Sequence, residues 1–235
     1  MSDANKGLPA ESHSAEIADF LEKLKQAPAR AGGGRGRLIF ALDATASREP
    51  SWDRACKIQG EMFEATAALG GLEIQLVFYR GFAECKASRW MTTADELHRV
   101  MRRVSCVGGE TQIERVLSHA IRETAQRRVN ALVFVGDAME ENVDRLCRLA
   151  GELGLLGVPV FIFHEGSEHK AAAAFKQIAS LSRGAYLSFD LASAERLKEL
   201  LAAVAVYAAG GYRALAAYGA GKSSEILRLT AQLRG

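Results

Sequence analysis

The chain has 235 residues, 49% of them hydrophobic and 25% charged, with a formal charge of +2. That is enough apolar length for one medium-sized core. The near-neutral balance argues against a general nucleic-acid footprint, which needs a basic face. The longest apolar run, "LLAAVAVYAAGGY" at 200–212, is too short to span a bilayer and is broken by two glycines. No membrane association is expected. The polar start, "MSDANKGLPAESHSAE", does not read as a secretory signal, so none is expected. The four cysteines form no C-x-x-C pair and read as reduced core residues, so the expected location is the cytoplasm.

Taken in chain order, residues 1–36 form an N-terminal segment. Its first 13 residues read as disordered. Ile17, Phe20, Leu21 and Leu24 then lie on one stripe at helical spacing, ahead of Pro28 and a Gly-rich tether, "ARAGGGRGR". From 37 to 210 the pattern alternates. Apolar runs at 38–42, 73–79, 131–135, 159–163 and 185–189 predict strands. "ECKASRW" predicts an edge strand returning by hairpin from 73–79. Helical patterns separate most of the strands. The first runs from Trp52 to Leu69, the second opens at Thr93 with Glu96 in a capping box, and the third opens at Thr111 with Glu114 in the same relation. Further helices are predicted at 141–156, 171–181 and 194–208, and residues 211–235 read as a C-terminal extension. Strands alternating with helices predict an α/β fold, mainly parallel, with helices on both faces.

In such a sheet, ligands lie outside the carboxyl ends of the strands. The first strand ends in "DATAS", which offers Asp43, Thr45 and Ser47. The run "NALVFVGD" ends in Asp137, and the loop "CVGGETQIE" carries Thr111. Two carboxylates and three hydroxyls, without sulfur or imidazole, suit a hard cation. The carboxylates would balance a divalent charge, and the hydroxyls would fill positions without adding any.

These motifs resemble the von Willebrand factor A domain with its metal-ion-dependent adhesion site. "DATAS" stands for the D-x-S-x-S motif, with Thr45 where Ser is usual. Thr111 stands for the loop threonine, and Asp137 for the later aspartate. The resemblance covers about residues 37–210. It implies a Rossmann-like three-layer sandwich with one antiparallel edge strand. It also implies a Mg2+ or Mn2+ ion held by Asp43, Thr45, Ser47, Thr111 and Asp137, with an Asp or Glu of a partner protein completing the metal shell. Arg48, Glu49, Glu110 and Met139 would then line the rim and contact the partner. The implied function is metal-dependent protein–protein interaction, with no catalysis.

Other readings stand beside this one. Thr111 could simply cap a helix through T-x-x-E, Ser47 could cap the helix near Pro50, and the two aspartates could cap turns. The same oxygen cluster could hold magnesium for phosphoester hydrolysis, with Glu110 or Glu140 as the base. A von Willebrand A-like domain that has lost its metal is a third possibility, suggested by Thr45. His164 and His169 in "HEGSEH" read as surface or strand-end histidines, since no third zinc ligand accompanies them.

Overall fold

The computed structural model describes residues 35–49, 52, 55–56, 60–67, 70–189 and 194–220. The amphipathic stripe expected at 17–24, Pro50, Leu69 and the tail from 221 lie outside these. Six strands form one sheet: β1 (Gly36–Asp43), β2 (Leu72–Arg80), β3 (Glu84–Ala87), β4 (Ala131–Gly136), β5 (Val160–Glu165) and β6 (Ala185–Phe189). Their spatial order is β3-β2-β1-β4-β5-β6. All neighbours run parallel except β2 and β3, which pair antiparallel through a turn at Gly81. Among the described residues the helices with full bounds are α1 (Gly60–Thr66), α2 (Ala94–Met101), α3 (Ile113–Gln126), α4 (Val143–Leu155), α5 (His169–Leu181) and α6 (Ala194–Ala220).

Alternate residues of each strand face opposite sides of a sheet, so this sheet carries two cores. Leu38, Phe40, Leu42, Leu76, Val133 and Phe161 pack with Met62 of α1, Met101 of α2 and Val204 of α6. Ile39, Ala41, Tyr79, Phe134 and Ile162 face α3, α4 and α5. Both faces being covered explains why the central strands read as unbroken apolar runs. α6 lies close against β1, and a Cβ on Gly36 would stand 2.4 Å from the Ala208 carbonyl oxygen. The expected break at the paired glycines is a kink at Gly211 (φ 71°, ψ −167°). The helix resumes beyond it, because Leu215 is buried in the core.

The capping expectation holds for α2. The Thr93 hydroxyl accepts from Glu96 N, while Glu96 returns a carboxylate to Thr92 N. It does not hold for α3, which starts at Ile113, two residues after Thr111. Glu141, from the far side of β4, accepts from Ile113 N at 2.5 Å and Glu114 N at 2.9 Å. A carboxylate at a helix N-terminus satisfies orphan donors and favours the dipole. With Glu141 in that role, the Thr111 hydroxyl is not needed as a cap.

Candidate metal centre

Strand order reverses between β1 and β4: the chain goes from β1 outward to β2 and β3, then returns to β4 and proceeds the other way. The crevice outside the carboxyl ends of these two strands is the topological switch point, where open α/β sheets bind ligands. Asp43 ends β1, and Asp137 follows β4 directly. Gly136 keeps the two strand ends close. A Cβ there would meet the Phe134 ring at 2.8 Å and Asp43 Cβ at 3.7 Å.

Asp43 is 1% exposed. Its Oδ1 accepts from Thr45 N at 2.7 Å, and its Oδ2 accepts from the Tyr79 hydroxyl at 3.0 Å. Tyr79 is its register partner on β2, so the strand pairing aims the phenol at the carboxylate. Burial pushes the Asp43 carboxyl upward in pKa. The Thr45 hydrogen bonds oppose that shift, and the like charge of Asp137 reinforces it. Thr45 precedes a 3-10 turn (Ala46–Arg48) and makes no side-chain cap bond. Its Oγ1 lies 3.3 Å from Ser47 Oγ. Thr45 is buried and Ser47 exposed, so the two hydroxyls run from the interior toward the surface.

Thr111 is buried and held by a reciprocal pair of bonds. Its N–H donates to Glu140 Oε2 at 3.0 Å, and its Oγ1 accepts from Glu140 N at 3.2 Å. The loop bearing it is tied to β1 by Val107 N donating to the Ala44 carbonyl, and to the β2–β3 turn by Glu110 N donating to Gly81 O. Gly109 makes the second tie possible, since a Cβ there would lie 2.1 Å from Gly81 O. The loop thus links the ends of β1, β2 and β4.

Asp137 is half-buried, and its Oδ1 is a buried oxygen with no hydrogen-bond donor. Its backbone carbonyl accepts from His164 Nε2 at 3.2 Å, while Nδ1 of that ring lies 2.9 Å from the Tyr186 hydroxyl. A carbonyl can only accept, so the proton sits on Nε2 and Nδ1 accepts from the tyrosine. Burial lowers the His164 pKa, which favours this neutral ring. The expected strand-end histidine is fully buried and not on the surface. It supports the backbone at Asp137.

Two rim assignments need correction. Arg48 is only 3% exposed, and its Nη1 pairs with Glu165 at the end of β5. Met139 is 2% exposed and packs in the α3–α5 core. Neither is available at the surface: the 3-10 turn points Arg48 inward across the sheet, and Met139 fills the base of its loop. Glu49 and Glu110 are exposed. Sequence reasoning missed Glu165 and the roles of Tyr79, Glu141 and His164. Of these, only the paired acids at 140–141 carried a local signal.

Among the described residues, no three His, Cys, Asp or Glu side chains cluster as metal ligands. A cation at the switch point would take hydroxyl oxygens beside Asp43 and Asp137. The donor set fits a hard divalent ion: two carboxylates, three hydroxyls, and one buried carboxylate oxygen lacking a donor, which a native protein rarely leaves unsatisfied.

No protein-family model matches the sequence, and no curated protein does. Solved structures do match. A von Willebrand factor type A protein from Catenulispora acidiphila is 18% identical with a TM-score of 0.56, over 73% of this chain and 43% of its own. The SpRpn10 VWA domain is 14% identical with a TM-score of 0.54, over 66% of this chain and 88% of its own. Proximal thread matrix protein 1 of the mussel byssus, solved with a zinc-occupied MIDAS motif, is 16% identical with a TM-score of 0.54. That match covers 73% of this chain and 48% of the mussel chain. The chain thus spans less than half the length of the first and third. The fold is that of von Willebrand factor A domains: a mostly parallel six-stranded sheet with one antiparallel edge strand and helices on both faces. Among the described residues no helix is long and apolar enough to cross a membrane.

Proposed function

We propose that this chain is a divalent-cation-dependent protein-interaction module of the cytoplasm. Asp43, Thr45, Ser47, Thr111 and Asp137 would hold Mg2+ or Mn2+. The bound ion would supply an electrophilic position for an Asp or Glu of a partner protein. The exposed Glu49 and Glu110 would border that position and disfavour partners with further negative charge nearby. The observation that carries the reading is Asp137 Oδ1, buried without a donor beside the end of β1. A carboxylate oxygen in that state is costly without a cation.

The hydrolase alternative finds less support. Glu140, one of the two candidate bases, is engaged by the Thr111 N–H at 3.0 Å. His119, on α3, bonds Gln75 at 2.8 Å on the α3 side of the sheet. His164 is buried with both ring nitrogens in use.

The test is thermal unfolding with magnesium, manganese or chelator, on wild type and Asp43→Ala. A ligand that binds only the native state raises its stability by mass action. The wild type should gain stability with either ion, and the variant should not. Equal shifts in both proteins would remove the site. The same preparations should show no turnover of generic phosphoesters. Turnover that disappears in both Asp137→Ala and Thr111→Ala would favour the hydrolase.

A further inference from the structure

A cation already stands at this end of the sheet. Arg48 closes the 3-10 turn that carries Ser47, and its guanidinium pairs with Glu165. Sheet order makes this pairing a long reach. Arg48 hangs from the end of β1, Glu165 ends β5, and β4 lies between them. Neighbouring strands are about 4.8 Å apart, so the link spans roughly 10 Å. It passes over the end of β4, where Asp137 follows. A buried guanidinium persists only when negative charge compensates it. The Glu165 side chain is 14% exposed and that of Arg48 is 4% exposed, so the pair is largely out of water. Burial works to lower the Arg48 pKa, and the charges of Asp137 and then Asp43 oppose that shift.

One guanidinium thus pairs with Glu165 while the charges of Asp137 and Asp43 act on it from the ends of the two strands beside it. With Arg48 drawn to Glu165, the two aspartates keep a net charge of −2 for an incoming ion. With Arg48 drawn to the aspartates, that charge is partly cancelled. We infer that Arg48 is a built-in competitor for the divalent ion at Asp43 and Asp137, and that Glu165 restrains it by holding the guanidinium to one side. This rests on the metal-binding reading above and adds a determinant of its affinity. In the metal-free protein the guanidinium relieves the repulsion between the aspartates. In the loaded protein its charge opposes the ion. The function of the pair is to keep the site from binding cations too tightly while preserving a folded metal-free state.

The experiment is calorimetric titration of magnesium into the full chain, as wild type, Arg48→Gln and Glu165→Gln, with unfolding of each followed in chelator and in saturating magnesium. Removing the competing charge should tighten binding by Arg48→Gln about tenfold, equivalent to about 1.4 kcal/mol. Removing the restraint should weaken binding by Glu165→Gln by a similar factor. Arg48→Gln should also melt lower in chelator and regain more with magnesium than the wild type does. A purely structural ion pair would instead lower melting equally in both conditions. If wild type binds and the variants match it, or if their order is reversed, the inference fails while the metal site stands. If none of the three binds, both fail. Should Arg48→Gln not fold, Glu165→Gln decides alone: weaker binding supports the competitor, and unchanged or tighter binding overturns it.

Discussion

Tyr79→Phe is the most local perturbation of the centre. The phenol is fully buried and donates to Asp43 Oδ2 at 3.0 Å, and Asp43 itself is 1% exposed. Phenylalanine keeps the ring, and with it the stacking on Phe134 at 6.3 Å between centroids. What is lost is one hydrogen bond to a charged acceptor, which costs about 1.5–3 kcal/mol when the acceptor stays buried. One feature holds the loss toward the lower end: Asp43 Oδ1 keeps the Thr45 N–H at 2.7 Å, so the carboxylate is not left without a donor. A loss of about 2 kcal/mol in chelator is expected, or about 4–8 °C in Tm for a domain of this size. In saturating magnesium the loss should shrink, because a bound ion takes over the stabilisation of that carboxylate. Urea unfolding of both proteins, in chelator and in magnesium at one pH, measures this. A change below about 0.5 kcal/mol in chelator would mean that Asp43 does not depend on the phenol, and would refute the reasoning.

Three other predictions can be tested alongside. Thr45→Ser keeps the hydroxyl and frees χ1, so magnesium binding should be retained. Thr45→Val removes the oxygen at nearly constant volume and should weaken binding sharply; valine binding as well as threonine would exclude Thr45 as a ligand. Gly109→Ala puts a methyl 2.1 Å from Gly81 O, so the loop bearing Thr111 must shift. Denaturant unfolding should show a cost of about 1–3 kcal/mol, with magnesium affinity reduced. Burial lowers the His119 pKa in the folded chain, though Glu123 opposes it. The unfolded chain then binds the proton more readily, so this histidine's contribution is present above the ordinary imidazole pKa. It is lost as pH falls through the depressed folded value. His119→Gln should flatten stability between about pH 7 and 5.

Much of the frame was readable before any coordinates. Residues 38–42 and 131–135 are unbroken apolar runs because both sheet faces are covered, and the oxygens of "DATAS" stand where β1 ends. Thr93 capped α2 as its local spacing said, because that bond closes within three residues. Thr111 and Glu114 showed the same spacing without the same bond. The donors of α3 are taken by Glu141, 27 and 28 residues away from them. Local pattern cannot see such a competitor. The inward course of Arg48 has the same cause. In the sequence it precedes Glu49 and Pro50 and looks solvated, and only the order β1-β4-β5 brings Glu165 within its reach. Met139 reads as a rim residue because a post-strand loop is usually exposed, whereas here it folds back into the core.

The central claim is that the end of β1 and the loop after β4 hold one divalent ion together. Calorimetric titration of magnesium into wild type and Asp137→Asn tests it most directly, since asparagine keeps the side chain's size and removes the charge. The account predicts one saturable site in the wild type and loss of measurable binding in the variant. Equal binding by both proteins, or no binding by the wild type with either magnesium or manganese, would contradict it.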